Sequence, residues 1–514
     1  MPVDLRTNVS LLLEHNLEAG RGQQAALITG DDESRSYAQL YVDACRFASR
    51  LRDLGVRREE RVLLVLDDTP VFHAAFLGAI RLGAVPVPVN ILARPQDYAY
   101  YLDDSYANVA VVDAALLDKV QPHLAERPHV ELVVANGDVP DGAHAAQAWL
   151  EEGEDELAPV RTHPDDPAFW LYSSGSTGAP KGVVHLQHDV AVTCENYAGQ
   201  VLQLTQGEVT FSTTKLFHAY GLGNGLTFPM WAGATAVQLV GRPAPDRALD
   251  RIERHRPSVL YSVPTLYNAM LNTPGVRERD LSSLRIGASA AEALPPEVWR
   301  RWRELTGTEI LDGIGSTELL HIYCSNRPGQ CRPGTSGFPV PGYELEIRDP
   351  ETGVVIDGTE AGELWAKGDS ALAYYHHQHE KTKRSVVGAW FRTGDRYRRD
   401  EAGAYVYEGR VDDMMKVGGL WVSPIEIENR LIEHEAVQEA AVVAAEEDGL
   451  TRIRAVVILH EGHEGSEALV GELQTWCKER LQRYQFPHVV EFVDDLPRTS
   501  TGKIQRYKLR GRLA

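Results

Sequence analysis

Short continuous apolar runs alternate along the chain with longer amphipathic stretches. Runs of strand length stand at 61–68 (RVLLVLDD), 108–114 (NVAVVDA), 130–137 (VELVVANG), 167–174 (PAFWLYSS), 257–264 (PSVLYSVP) and 283–289 (SLRIGAS), each followed by helix-like periodicity. Strands apolar on both faces, alternating with helices, predict parallel sheets covered on both sides, an α/β architecture. Thr69 and Pro70 supply cap and first-turn signals ahead of VFHAAFLGAIRLGA. A helix is expected there, in the ordinary role of an amphipathic packing element.

The texture changes from about residue 333, where Gly and Pro crowd together (PGTSGFPVPGYELEIRDPETG) and short alternating runs such as YELEIRD and GELWAKG predict antiparallel hairpins. A second shift falls at 409–428 (GRVDDMMKVGGLWVSPIEIE), which is polar, bears glycines and lacks a core pattern. Beyond it the order is helix (IEIENRLIEH), strand (VQEAAVVAAEE), strand (RAVVILHEG), helix (LVGELQTWCKERLQRY) and strand (HVVEFVDDL). That order reads as a small α+β domain after a hinge. The boundary is expected near Asp412, dividing the chain into 1–411 and 412–514. No internal repeat and no low-complexity tract interrupts it.

Composition narrows the picture. At 514 residues the chain is too long for one compact domain, and the usual domain size suggests about three, some sharing a core. Its 43% hydrophobic and 24% charged residues exclude disorder and collagen-like repeats. The 52 basic residues against 73 acidic ones leave a net charge of −21, which argues against general affinity for nucleic acid. A small anion held by a few local amides and cations stays compatible with it. Five cysteines, Cys45, Cys194, Cys324, Cys331 and Cys477, are odd in number and lack zinc-site spacing. They are expected to be core thiols in a reducing compartment. The opening MPVDLRTNVSLLLEHNLEAG lacks a signal-peptide run, and no stretch approaches the roughly 20 apolar residues that span a bilayer. The expectation is a cytoplasmic protein with no membrane partner.

Residues 172–182, YSSGSTGAPKG, follow directly on an apolar strand. Hydroxyls from Ser173, Ser174, Ser176 and Thr177, with glycines between them, let backbone amides and side chains converge on one anion. Lys181 adds a point charge for a phosphate oxygen. Gly182 follows that lysine where a Walker loop would have Ser or Thr, so a switch GTPase or motor ATPase is not indicated. The competing reading is a solvated Ser/Gly loop.

The segment resembles the phosphate loop of the adenylate-forming superfamily, which includes acyl-CoA and aryl-CoA synthetases, nonribosomal adenylation domains and firefly luciferase. DGIGSTE (312–318), TGD (393–395), GRVDDMMKVGG (409–419) and PRTSTGKIQR (497–506) follow in the family's order and approximate spacing, so the resemblance covers essentially the whole chain. It implies an N-terminal body of two stacked α/β subdomains plus a β-barrel, and a small mobile α+β C-terminal domain hinged at Asp412. It also implies ATP, Mg²⁺ and coenzyme A. By resemblance Ser173, Ser174, Ser176, Thr177 and Lys181 embrace the β- and γ-phosphates, Thr317 contacts the α-phosphate and Glu318 holds Mg²⁺. Asp312, Gly313, Ile314 and Ser316 belong to the same nucleotide segment. Asp395, with Arg410 as companion, is implied as the ribose ligand. Ala290, Ala291 and Glu292 occupy the family's Gly-Glu-Ala turn beside adenine, with Ala291 where a glycine is usual. Lys503 is implied to carry adenylation, delivered between the carboxylate and the α-phosphate. Gly418 and Gly419 would line a pantetheine tunnel in a second, rotated state. No base is required for thiol attack, and no catalytic triad is assigned.

The strings KLFHAYGLGNGLTFP (215–229), DGIGSTELLHIY (312–323), GTSGFPVPGYE (334–344) and VSPIEIE (422–428) are similar to benzoate-CoA ligases and their hydroxybenzoate relatives. The implied substrate is a small aromatic carboxylic acid in a flat pocket. Ala219, Tyr220, Gly315, His321 and Ile322 are expected around it, together with His218, where these ligases usually carry Phe. The plainer reading makes Tyr220 and Ile322 core and His321 a supporting residue. The cluster His376, His377 and His379, followed by Lys381, Lys383 and Arg384, is expected to be an exposed loop rather than a metal or CoA-phosphate site. Two alternatives stay open: an aryl-acid adenylating enzyme that loads a carrier protein, and an acyl-CoA synthetase for another small acid. An amino-acid substrate would call for an acidic group near 218–220, and a non-catalytic nucleotide binder would lack Lys503 or Glu318. Both monomer and homodimer are compatible with the sequence.

Overall fold

A computed structural model describes residues 4–173, 180–411, 414–417, 420–447, 450–482, 484–498 and 504–510. Among these residues the apolar runs pair mostly in parallel. Val85–Pro88, Arg61–Val65, Val109–Asp113, Glu131–Ala135 and His144–Ala145 form one parallel sheet in that order. A larger sheet runs Phe338–Pro339, Ile322–Ser325, Ile310–Gly315, Ile286–Ser289, Val259–Ser262, Val209–Ser212, Thr235–Gln238, Ala25–Ile28 and Ser34–Ser36. Its interior is parallel, and the strands at both ends are antiparallel. The continuous β-branched runs are buried on both faces, which is why their sequence shows no alternation.

Two helices pack into one core between these sheets. Tyr37–Asp53 begins with a capping box, Ser36 Oγ accepting from Gln39 N at 3.2 Å and Gln39 Oε1 from Ser36 N at 2.8 Å. It lies against Pro70–Arg81, and a Cβ on Gly78 would stand 2.9 Å from Ala44 O, so the close approach requires glycine there. Pro70–Arg81 starts where the sequence places it, but every residue in it is buried. The expected amphipathic helix is therefore an interior one, apolar all round because sheets and helices enclose it.

The Gly/Pro-rich region folds as expected into an antiparallel sheet of Glu344–Arg348, Gly362–Lys367, Trp390–Arg399, Tyr405–Arg410 and Val386–Val387. After it, Val437–Glu447, Leu450–Leu459 and Val489–Phe492 form a further sheet, packed by helices Pro424–Ile432 and Glu467–Arg480. The stretch 409–428 differs from its reading as coreless. Met415 and Val417 of one strand and Val422 of its hairpin partner join Ile427, Leu431, Leu473 and Cys477 in this core. Asp412 lies outside the described residues. Cys45, Cys194, Cys324 and Cys477 are buried free thiols and Cys331 is half-buried. No described helix is long and apolar enough to cross a membrane.

Candidate active site

The phosphate segment departs from the βα pattern expected after 167–174. Strand Pro167–Ser173 turns back on Lys181–Leu186, with Ser173 opposite Lys181 and Tyr172 opposite Gly182. The run KGVVHL, with Val183 and Val184, pairs antiparallel with the aromatic-rich PAFWLYS, so the motif connects two neighbouring strands rather than a strand and a helix. Ser174, Ser176 and Thr177 lie outside the described residues; Ser173 and Lys181 mark the two ends of the turn. Tyr172 fixes the stem, its hydroxyl donating to Asp104 Oδ2 at 2.7 Å and its ring 4.7 Å from that of Tyr101. Burial lowers the Lys181 pKa; Glu318 works against that, and Lys381 and Arg410 add to it.

Glu318 arrives from the other large sheet. Strand Ile310–Gly315 leads into Ser316, whose hydroxyl accepts from Leu319 N at 3.3 Å and caps the single turn Thr317–Leu319. Glu318 Oε1 accepts from Tyr375 OH at 2.9 Å and Ser173 Oγ at 3.4 Å. Both bonds fall on the same oxygen, so the other is the one available to a hard cation, which suits Mg²⁺ with phosphate and water completing its shell. Tyr375 also lies 5.5 Å from Lys181 Nζ, measured to the ring centre. Gly313 and Gly315 are required by the neighbouring strand: a Cβ would stand 2.7 Å from Cys324 O and 2.7 Å from His321 O respectively.

Two more groups flank this centre. Asp395 and Arg410 are directly opposed on paired strands, with Arg410 Nη1 donating to Asp395 Oδ1 at 3.0 Å and to Thr393 O at 3.1 Å. Burial opposes the guanidinium charge, but Asp395, Tyr407 and Glu318 together outweigh it and the Arg410 pKa rises. Asp312 is buried, with Oδ2 accepting from Leu294 N at 3.4 Å. Burial pushes its carboxyl up to about 8 despite the Leu294 amide and Ser289 hydroxyl, and Oδ1 makes no hydrogen bond of ordinary geometry with a described residue. Ala290 is buried beside it, and Glu292 Oε2 accepts from Thr265 Oγ1 at 2.8 Å. Ala291 holds φ +79°, a left-handed conformation that suits the glycine expected at this position.

The aromatic pocket is built on an interrupted helix. Ala219–Leu222 passes through a π-turn, Gly223–Thr227, into Phe228–Ala232, and such bulges recur at functional sites. Here the bulge lets Gly223 meet His321, whose Cδ2 would stand 2.4 Å from a Cβ on that glycine. His321 is buried among the rings of Tyr197, Tyr220 and Phe228, at 5.2, 5.3 and 4.4 Å. Its Nε2 lies 3.1 Å from Asn224 Oδ1. Burial lowers its pKa to about 3, only partly offset by the Tyr220 carbonyl, so the ring is neutral. The Tyr220 hydroxyl, Asn224 Nδ2 and His321 Nδ1 are buried without a hydrogen bond of ordinary geometry to described residues. Ile322 is buried alongside, and Ala219 is buried at the helix start. His218 precedes that helix with its ring 4.3 Å from Phe217.

The structure thus brings Ser173, Lys181, Glu318 and Arg410 to one centre and Tyr220, Gly315, His321 and Ile322 to an adjoining one. Lys503, Gly418 and Gly419 lie outside the described residues. Sequence reasoning missed Tyr375 and Asn224. The only available signal for Asn224 was a polar side chain inside LFHAYGLGNGLTF; nothing local distinguishes Tyr375. It also missed Lys215, buried with Nζ 2.5 Å from Asp67 Oδ1 and 3.4 Å from Asp68 Oδ2, which anchors the loop before His218 to the first sheet. The histidine cluster is only partly the exposed loop expected. His376 stacks 4.0 Å from Trp170, and His377 Nδ1 sits 3.5 Å from Asp104 Oδ1. No described group of His, Cys, Asp and Glu is arranged to hold a metal by itself.

Comparison with known proteins gives concordant matches. The family model for AMP-binding enzymes matches residues 13–376, and that for the AMP-binding enzyme C-terminal domain matches 426–503. Benzoate–CoA ligase of Thauera aromatica is 48% identical over 97% of this chain and 94% of its own. The 4-hydroxybenzoate–CoA/benzoate–CoA ligase of Rhodopseudomonas palustris is 42% identical over 97% and 92%. Among solved structures, a benzoate CoA ligase from Burkholderia xenovorans LB400 superposes with TM-score 0.92 at 44% identity, covering 98% of this chain and 100% of that one. The anthranilate CoA ligase AuaEII in complex with anthranoyl-AMP superposes with TM-score 0.95 at 38% identity, covering 99% and 97%.

Proposed function

The chain belongs to the AMP-binding enzyme family, and we propose on that footing that it is an ATP-dependent aryl-CoA ligase converting benzoate or a substituted benzoate to its CoA thioester. The observation that carries the reading is the junction of the two centres. A buried aromatic cluster of Tyr220, Phe228 and neutral His321 adjoins the strand end that delivers Thr317 and Glu318. An aromatic ring buries apolar area there while its carboxylate points toward the nucleotide.

In the first half-reaction a substrate carboxylate oxygen attacks the α-phosphorus of ATP, and the bond to the β-phosphate oxygen breaks to release pyrophosphate. The barrier is lowered by positioning and by cations on the phosphates. Ser173, Ser174, Ser176, Thr177 and Lys181 embrace the β- and γ-phosphates, and Thr317 meets the α-phosphate. Glu318 would hold Mg²⁺, which when bound would supply charge neutralisation to the phosphates. Asp395, oriented by Arg410, accepts the ribose hydroxyls. Asp312, kept as a neutral carboxyl, can both donate to and accept from the adenine edge beside 290–292. Lys503 bridges the carboxylate and the α-phosphate. In the second half-reaction the small domain rotates at Asp412 and the CoA thiol enters past Gly418 and Gly419. Sulfur bonds to the acyl carbon and AMP leaves. The acyl adenylate, a mixed carboxylic–phosphoric anhydride, is already a strong acyl donor, and the thiol needs no dedicated base because thiols ionise appreciably near pH 8. Free, buried thiols fit a cytoplasmic setting.

The test is a panel of benzoate, hydroxy-, amino- and halobenzoates, cinnamate and a medium-chain fatty acid with MgATP and CoA. Aryl-CoA formation is expected. A preference for the fatty acid would overturn the aryl assignment, and transfer only to a carrier protein would overturn the CoA assignment.

A further inference from the structure

We propose that His185 and Asp189 form a buried positioning pair that sets the Thr317–Glu318 turn for the nucleotide, and so serve adenylation rather than thioester formation. The proposal rests on the ligase reading above. His185 lies on strand Lys181–Leu186, four residues after Lys181, and Asp189 in the first turn of the following helix, Gln187–Thr193. Both side chains are 0% exposed. His185 Nδ1 lies 2.7 Å from Asp189 Oδ2, and Nε2 lies 2.7 Å from Thr317 O. A carbonyl oxygen only accepts, so Nε2 carries a hydrogen and Nδ1 shares a proton with the carboxylate. Asp189 Oδ2 also accepts from Leu186 N at 3.0 Å, which fixes it. A second imidazole, His188, stands 3.2 Å from Asp189 Oδ1 and is held by the carbonyls of Pro164 and Asp369 at 2.9 and 3.0 Å.

The turn these residues grip is strained. Leu320, directly after Glu318 and Leu319, has φ +65° and ψ −31°, and His321 N donates back to Leu319 O at 2.8 Å. This is a γ-turn of the rare left-handed sense at a leucine, which persists only where surroundings over-determine it. Three successive carbonyls are held from outside the turn, one by His185 and two by the segment 370–372. Thr317 O accepts from His185, Glu318 O from Leu372 N at 2.7 Å, and Leu319 O from Ser370 Oγ at 2.9 Å. His185 is thus the side chain that ties the strand bearing Lys181 to the turn bearing Glu318. Phosphate cation and metal carboxylate are set relative to each other through it. Conserving that link costs two wholly buried polar groups, which an apolar pair would avoid.

The test compares His185→Leu, His185→Gln and Asp189→Asn in the full-length protein. Gln can still donate to Thr317 O. Three readouts are taken: ATP–pyrophosphate exchange with benzoate, Mn²⁺ affinity of the ATP-bound enzyme by electron paramagnetic resonance, and thioester formation from synthetic benzoyl adenylate and CoA. The last bypasses the β- and γ-phosphates and the metal. Expected for His185→Leu is a fall of about 10- to 100-fold in exchange kcat/KM and in Mn²⁺ affinity, with thioester formation unchanged and partial recovery in His185→Gln. Equal loss in both half-reactions, or wild-type Mn²⁺ affinity, would overturn the proposal. Should the leucine variant fail to fold, Asp189→Asn and His185→Gln carry the same comparison, and wild-type Mn²⁺ affinity in both would overturn it. Failure of the ligase reading looks different: the wild-type enzyme would be inactive with every aryl acid, while the Mn²⁺ affinities would still test the pair.

Discussion

Replacing Gly223 by alanine adds one methyl group at the wall between the π-turn and the aromatic pocket. Its Cβ would stand 2.4 Å from His321 Cδ2, 2.8 Å from His321 Nε2 and 3.3 Å from Phe228 Cζ, where ordinary contact begins at 3.4 Å. The imidazole must therefore move by about 1 Å, a displacement that can cost about 100-fold in a positioned reaction. It cannot swing freely, because Tyr197, Tyr220 and Phe228 enclose it. The 3.1 Å link to Asn224 would be lost as well. Overpacking of this kind typically costs about 1–3 kcal/mol in stability, and a 100-fold loss corresponds to about 2.7 kcal/mol in the transition state. The expected result is a kcat/KM for benzoate lowered about 100-fold in ATP–pyrophosphate exchange, with the KM for MgATP retained, because the atoms a Cβ on Gly223 would meet belong to His321 and Phe228 and not to the proposed nucleotide residues. Unchanged benzoate kinetics would refute the placement of the ring against His321. A matching rise in the MgATP KM would instead mean that the whole centre had shifted.

Other outcomes follow from the same geometry. Lys503→Ala should nearly abolish ATP–pyrophosphate exchange while sparing thioester formation from synthetic adenylate; near-normal exchange sinks its assignment. Ala291→Gly should raise stability toward urea by about 1 kcal/mol, because the left-handed backbone at φ +79° penalises a Cβ, and a fall in the unfolding midpoint would contradict that. For Asp312 the folded value of about 8 lies above the ordinary 3.8, so the folded protein binds this proton more tightly than the unfolded chain does. Its stabilising contribution is full below about pH 4 and is lost as pH rises through about 8. Asp312→Asn should flatten the decline of thermal stability over that window, and an unchanged slope would show that the carboxyl is not held neutral.

Much of the architecture was legible because its causes are local. The runs at 61–68, 108–114, 130–137, 257–264 and 283–289 are all found as parallel strands, since β-branched residues buried on both faces need no distant information to prefer extended backbone. The order of elements after residue 424 is equally visible in alternation and helical period. Readings failed where the deciding partner was remote, as at 409–428, whose Met415, Val417 and Val422 find their core in Leu473 and Cys477. Pro70–Arg81 carries the start signals of any surface helix, but its burial depends on two sheets closing over it. After 167–174 a helix is the expected successor, but Lys181–Leu186 is a strand paired back on Pro167–Ser173.

The candidate site divides along the same line. Residue types and spacing by themselves marked the phosphate segment, because binding a phosphate demands hydroxyls, glycines and a lysine in local order; Thr317, Glu318, Asp395, Arg410 and the ring-pocket positions were implied by the resemblance of their local motifs to the adenylate-forming superfamily. Only the tertiary structure put Tyr375 on Glu318, His185 on Thr317, Asn224 on His321 and Lys215 between Asp67 and Asp68. Those pairs are separated by 57 to 148 residues in the cases of Tyr375 and Lys215. Their partners are chosen by how the sheets and helices pack, a sum over the whole chain to which no single segment holds the key.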